Sequence, residues 1–168
     1  MRLNVSGSRN AAFGNSALYS NTSGNDNSSF GYGSLNRNTL GYYNTAIGSN
    51  SMLNNTDGWA NVACGVALFN NTTGIGNTSV GYRANFLNTT GSDNTTLGNQ
   101  AMYSSTTSSG NTAIGTFALQ SNVVGDYNTA VGKNALLLST SNRNTAIGVA
   151  SLETNTTGAG NTAVGALA

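Results

Sequence analysis

The sequence predicts an all-β fold, a β-solenoid of the parallel β-roll or β-helix type, on three observations. A motif in which Gly follows Asn by four residues occurs ten times, at spacings of 16 or 17 residues. The repeat is rich in Gly, Asn, Thr and β-branched residues, which disfavour helices. A unit of this length is too short for a helix pair and suits one coil of a stacked β structure.

The anchor Asn of each motif sets the register, and we number the positions of every coil from it. The consensus is N-T-A-[IV]-G-x-x-A-L-x-x-N-T-T-G-x-x, and it runs through the whole chain. We therefore expect residues 1–168 to form a single repeat domain of ten coils. The anchors are Asn10, Asn27, Asn44, Asn61, Asn77, Asn94, Asn111, Asn128, Asn144 and Asn161.

Each coil is predicted to contain two short strands separated by turns. The N-T-A-I stretch favours a strand, which the Gly at position 5 ends. The x-A-L-x stretch predicts a second strand, and N-T-T-G predicts a turn. Because side chains alternate along a strand, Thr45 and Ile47 are expected to share one face, and Asn44 and Ala46 the other.

Two apolar columns are expected to fill the interior. Position 9 is mostly Leu or Met; Asn85 is the exception, where Phe86 and Leu87 are expected to take over through a local shift. Position 4 is apolar in every coil, and we predict that it is the core column, with Cys64 as a buried thiol. Its residues are Phe13, Phe30, Ile47, Cys64, Val80, Leu97, Ile114, Val131, Ile147 and Val164.

The anchor column itself predicts a structural element. Asn recurs there at the start of a strand, so we expect its amides to hydrogen-bond from coil to coil in a ladder. The alternative is that each anchor is a turn residue with positive φ.

The segments NTAIG, NTAVG and NTSVG resemble the NSVAIG-type coil motif of trimeric autotransporter adhesin heads. They also resemble the GNTAVGxxAL repeats of phage and bacterial tail-fibre-like proteins, and the resemblance covers all ten coils. The coil here is longer than the usual adhesin coil, and Thr usually replaces the Val before Ala. The resemblance implies a left-handed β-roll, three chains side by side, and surface attachment from an extracellular, cell-surface or virion fibre.

Catalysis and cofactor binding are not expected. The chain has no His, and its five acidic residues fall in alternate coils, at least ~10 Å apart along the axis. Ser–His and Cys–His nucleophile pairs are therefore absent, and no carboxylate pair meets the ~5–9.5 Å of a glycosidase. Six basic residues make no strong nucleic-acid surface, and no apolar run approaches the ~18 residues of a membrane span.

Three functional hypotheses follow. The first is a structural extracellular fibre or filament subunit whose partner is the chain itself, as a homotrimer, an end-to-end filament, or both. The second is a glycan- or surface-binding module with an aromatic ridge at position 16, formed by Tyr42, Trp59 and Ile75 with Tyr43 alongside; packing between chains is the alternative use of this ridge.

The third hypothesis is ice binding through a file of Thr residues at position 2. The predicted inward orientation of Thr45 counts against it, as does the presence of one Thr column in place of paired ranks.

The two ends of the sequence resemble two parts of one coil. Ala168 falls at position 8 and Met1 at position 9, so that the tail joined to the head matches an internal coil. We expect an end-to-end joint formed by Met1, Leu3, Val164 and Leu167, in which chains stack into a filament. The alternative is that the chain is a segment of a longer fibre.

Overall fold

A computed structural model describes residues 2–168 and confirms the β-solenoid. Ten parallel strands form one sheet, in which each strand pairs with the next one in chain order. Residues at equal coil positions oppose each other, as Thr45 opposes Val62. The strands are β1 (Ala11–Phe13), β2 (Ser28–Phe30), β3 (Thr45–Ile47), β4 (Val62–Cys64), β5 (Thr78–Val80), β6 (Thr95–Leu97), β7 (Thr112–Ile114), β8 (Thr129–Val131), β9 (Thr145–Ile147) and β10 (Thr162–Val164).

Each described coil contains one strand and not the predicted two. The x-A-L-x stretch is a turn, because the residue at position 9 has a left-handed backbone, with φ of 49° at Leu35 and 51° at Met52. Such a conformation cannot continue a strand. It turns the chain and directs the side chain of position 9 inward.

Position 9 is the core column, as predicted. Its large apolar side chains are fully buried, and the small residues at positions 3 and 8 pack around them. The buried members are Leu18, Leu35, Met52, Leu68, Met102, Leu119 and Leu136.

The prediction of a second core column at position 4 is wrong. The strand alternates as expected, but Ala46 at position 3 is the buried residue, whereas Ile47 is 46% exposed. The interior is narrow there, because position 3 lies directly against position 8 of the same coil. In the second coil, the hydroxyl of Ser29 at position 3 donates to the carbonyl of Ser34 at position 8 at 2.8 Å. Only small side chains fit there. All ten predicted core residues point outward: Phe13, Phe30, Ile47, Cys64, Val80, Leu97, Ile114, Val131, Ile147 and Val164.

The anchor Asn residues form a hydrogen-bonded ladder through the interior. The Nδ2 of Asn44 donates to Oδ1 of Asn27 at 3.1 Å and to the carbonyl of Gly58 at 2.8 Å. The backbone N–H of Asn44 donates to the same Oδ1 at 3.0 Å. Each such side chain closes its own coil and ties it to its neighbours. At Asn144 only the backbone bond to Asn128 remains, and Nδ2 donates to Ser141 instead.

A second Asn ladder, at position 12, was not predicted. Asn38 donates from Nδ2 to Oδ1 of Asn21 at 2.8 Å and to the carbonyl of Gly41 at 2.9 Å, which closes the N-T-T-G turn. The recurrence of Asn in N-T-T-G at coil spacing is the signal that could have revealed it. The ladder ends where Ser105 takes the position, and Oδ1 of Asn88 is left without a partner. Its members are Asn4, Asn21, Asn38, Asn55, Asn71 and Asn88.

The glycines at positions 5 and 15 allow the coils to stack closely. A Cβ added to Gly98, where φ is 140°, would lie 2.6 Å from the carbonyl oxygen of Gly115 in the next coil. A Cβ on Gly58 would lie 2.5 Å from Oδ1 of Asn55 in the ladder. Position 5 is Gly in every coil, and position 15 is Gly wherever Asn occupies position 12. Ser108 and Ser141 take position 15 only in the two coils where Ser replaces that Asn.

Asn85 is a polar defect in the core column. It stays at position 9, where it is fully buried, and neither of its amide atoms has a hydrogen-bond partner among residues 2–168. The predicted shift of Phe86 and Leu87 does not occur: Phe86 remains at position 10, stacked between Phe69 at 4.9 Å and Tyr103 at 5.6 Å.

We expect the substitution Asn85→Leu to stabilise the fold by about 1–3 kcal/mol, because it removes unsatisfied buried polar atoms. Leu already adopts this backbone at Leu35, with φ of 49° as at Asn85. The measurement is the denaturant midpoint. The matched control is Asn55→Leu, which removes hydrogen-bonded ladder atoms and should lower stability by about 2 kcal/mol or more. Equal effects of the two changes would contradict this account.

Candidate functional site

The outward side of the strands forms the sheet face, which we define as the side chains at positions 2 and 4. Position 4 presents an apolar row in which Phe13 is 76% exposed, Leu97 48% and Val164 69%. At ~4.8 Å per coil the row is about 43 Å long. No charged residue occupies position 2 or 4 in any coil. At position 6, Tyr32 and Tyr82 extend the exposed apolar surface on one side.

The Thr file lies on the same sheet face and not in the interior, which reverses the predicted orientation. None of its hydroxyl groups has a hydrogen-bond partner among residues 2–168. The threonines at position 13 behave differently, since the Thr39 hydroxyl donates to the carbonyl of Thr56 at 3.2 Å and that of Thr72 to Thr89 at 2.9 Å. The members of the file are Thr45, Thr78, Thr95, Thr112, Thr129, Thr145 and Thr162.

Cys64 also lies on the sheet face. It is paired in register with Ile47 and Val80, and it is half-buried. The prediction of a buried core thiol is therefore wrong, for the same reason as the rest of position 4: the narrow interior accepts only the small side chain of position 3.

The predicted aromatic ridge is brought together on a different side of the coil. The rings of Tyr42 and Trp59 stack at 5.4 Å with an interplanar angle of 3°, and Tyr43 packs edge-on against Tyr42 at 5.4 Å. Ile75 continues the row in the next coil. Because the stack runs along the solenoid axis, the ring faces meet neighbouring coils and the ring edges meet solvent.

The residues of the predicted end-to-end joint lie in the first and last coils. Leu3 is 49% exposed, Val164 69% and Leu167 82%. The chain does not bring them together, since β1 and β10 are the opposite edges of the sheet. Met1 lies outside the described residues.

Within residues 2–168, no group of three or more His, Cys, Asp and Glu side chains could hold a metal ion. In that range no helix is long and apolar enough to cross a membrane.

No family model matches the chain, and no curated protein or solved structure matches it either. Arguments about function therefore depend on the two surfaces described above, the sheet face and the aromatic ridge.

Proposed function

We propose that the chain is a non-catalytic structural subunit of an extracellular fibre, on a cell surface or a virion, that assembles with further copies of itself through the sheet face. The observation that carries the proposal is the apolar row at position 4, which lies on the outward side of all ten strands and is exposed or half-buried at every one. Monomeric proteins rarely expose continuous apolar patches of this extent. The cores of protein interfaces are depleted of charged residues, as the sheet face is.

The magnitudes favour association along the whole rod. Full burial of a Val, Leu, Ile or Phe side chain contributes ~1.5–3 kcal/mol, and residues such as Ile47 are 46% exposed, so each contributes about 1 kcal/mol on docking. Association costs ~4–15 kcal/mol in lost freedom. Ten position-4 residues on each of two docked faces contribute about 20 kcal/mol and exceed that cost, whereas two or three on each face contribute about 4–6 kcal/mol and reach only its lower end. A partner as long as the chain itself is the simplest way to cover the row.

A homotrimer, the assembly implied by the resemblance to adhesin heads, would bury three sheet faces around one axis. End-to-end stacking uses the terminal coils and is compatible with lateral association. The exposed side chains of Leu3, Val164 and Leu167 support this additional contact.

We expect Ile147→Lys to weaken self-association at least about 100-fold, because a buried unpaired charge costs several kcal/mol. Sedimentation velocity over a range of concentrations measures it. The control is Val124→Lys, at an apolar residue of position 14 that is 57% exposed, against 42% for Ile147, and lies away from the sheet face. A wild-type chain that stays monomeric, or equal effects of the two variants, would contradict assembly through this face.

Cys64 provides an independent test, since it is the only cysteine of the chain. In the assembled protein the partner covers it, so a maleimide reagent should label it more than tenfold more slowly than in the Ile147→Lys variant. Mass spectrometry of timed samples gives the two rates. Equally fast labelling of assembled and dissociated protein would show that the partner lies elsewhere.

Ice binding is the second candidate, and the unpaired hydroxyls of the Thr file favour it. They stand in register at ~4.8 Å intervals on an uncharged surface. Side-chain ladders of the kind formed by Asn44 and Asn38 also suppress the twist of a sheet. A flat, regular row of hydroxyls can match an ordered lattice of water. This role needs a free sheet face and therefore excludes lateral assembly of the same copies.

The ice hypothesis predicts thermal hysteresis for the monomeric protein and its loss in Thr112→Tyr, which interrupts the file. Thr107→Tyr, an exposed threonine at position 14, is the control and should leave hysteresis unchanged. Nanolitre osmometry is the measurement. Hysteresis that is absent from the wild-type monomer removes this candidate without affecting the fibre proposal.

A further inference from the structure

The backbone next to the aromatic ridge differs from that of other coils in its hydrogen bonding. At position 16, the N–H of one coil normally donates to the side chain at position 16 of the next coil. The N–H of Ser8 donates to Oδ1 of Asn25 at 2.8 Å, that of Ser92 to Oγ of Ser109 at 3.0 Å, and that of Ser109 to Oδ1 of Asp126 at 2.8 Å. A polar side chain at position 16 thus accepts a hydrogen bond from the backbone N–H at position 16 of the preceding coil.

The ridge removes these acceptors from three consecutive coils. Position 16 of the coil after Asn25 is Tyr42, and the next two coils have Trp59 and Ile75 there. None of these three side chains places an oxygen atom near the N–H at position 16 of the coil before it. The N–H groups of Asn25, Tyr42 and Trp59 accordingly have no acceptor within the described chain. They form a file of donors at ~4.8 Å spacing, directly beside the exposed ring edges.

The side chains of the ridge add further donors. The indole N–H of Trp59 and the hydroxyls of Tyr42 and Tyr43 have no hydrogen-bond partner among the described residues. Aromatic ring edges carry partial positive charge. The polar groups and ring edges that Tyr42, Tyr43 and Trp59 present therefore favour oxygen acceptors.

The charges nearby limit the class of ligand. In coils 1 to 4 the charged residues are Asp26, Arg37 and Asp57. Asp26 lies at position 17 but is held by Arg9, through bonds of 2.6 and 2.8 Å, and the hydrogen bond from Arg9 lowers the pKa of its carboxyl. Arg37 lies at position 11. Among the described residues no free cation stands beside the ridge to neutralise a phosphate, sulfate or carboxylate, and a file of N–H donors does not accept hydrogen bonds from a cationic group. The ligand is therefore uncharged.

The spacing of the donors separates a saccharide from a peptide. The carbonyl groups on one side of an extended peptide repeat every ~6.6–6.8 Å, which does not match donors at ~4.8 Å. A saccharide carries hydroxyl and ring oxygens around every residue, and its C–H groups can pack on the exposed aromatic edges. From these contacts we propose that the ridge of Tyr42, Tyr43, Trp59 and Ile75 binds a neutral oligosaccharide, whose oxygens accept from the N–H file.

This site lies apart from the sheet face and does not depend on the proposed assembly. Trp59 is the only tryptophan, so its fluorescence reports the ridge directly. The experiment titrates the full chain with neutral hexasaccharides of glucose, mannose, xylose and N-acetylglucosamine, each up to ~10 mM, which detects sites with millimolar Kd. A heparin hexasaccharide and an extended hexapeptide are titrated in parallel. We expect a saturable change with at least one neutral hexasaccharide.

The decisive variant is Tyr42→Asn, which restores the side-chain acceptor found at Asn25 and leaves Trp59 in place. The variant returns the coil to the pattern of its neighbours, so it should fold, and binding should weaken at least tenfold. Tyr127→Asn, an aromatic residue at position 17 that is 64% exposed, is the control and should bind as the wild type does.

Three results would overturn the proposal: no response to any neutral hexasaccharide, binding of only the heparin fragment or the peptide, or unchanged binding by Tyr42→Asn. Circular dichroism of each variant checks its fold. Saccharide binding that persists in Ile147→Lys would show that the ridge acts independently of assembly, so failure of either proposal can be recognised separately.

Discussion

The hydrogen bonding of buried Asn side chains from coil to coil is the interaction on which the rest of the structure depends. A coil of this size encloses one large apolar side chain, such as Met52, and a few small ones. Burial of that side chain contributes ~1.5–3 kcal/mol, less than the cost of ordering the backbone of the coil. The amides of Asn44 and Asn38 offset the difference, because each joins two coils and closes a turn.

The ladders also determine what surrounds them. Donors and acceptors 2.8–3.2 Å apart hold consecutive coils at one spacing, so a Cβ does not fit beside a ladder amide at Gly58 or against the next backbone at Gly98. They also hold the strands in register, which lines up the outward side chains in straight files. The apolar row and the Thr file of the sheet face are thus consequences of an interior built from amides.

Two sites where the residues differ from the repeat consensus lack hydrogen bonds that the other coils make internally. Asn85 leaves two buried amide atoms without partners. At the ridge, Tyr42 and Trp59 replace the acceptors that other coils supply to the preceding N–H groups. The two cases differ in exposure, since Asn85 is sealed in the core whereas Trp59 is 39% exposed. A ligand from outside can therefore accept hydrogen bonds from the N–H groups beside the ridge, but it cannot reach the buried amide of Asn85.

The sequence by itself determined the period, the register, the β-solenoid and the Leu column at position 9, because each follows from residues that recur at a fixed spacing. Tertiary structure decided which side of the strand is buried. Alternation separates Ala46 from Ile47 but does not say which one faces inward, and the close approach of positions 3 and 8 selects the smaller. The left-handed backbone at Leu35, which replaces the second strand, and the ladder through Asn38 were also decided by how the coil closes on itself in three dimensions.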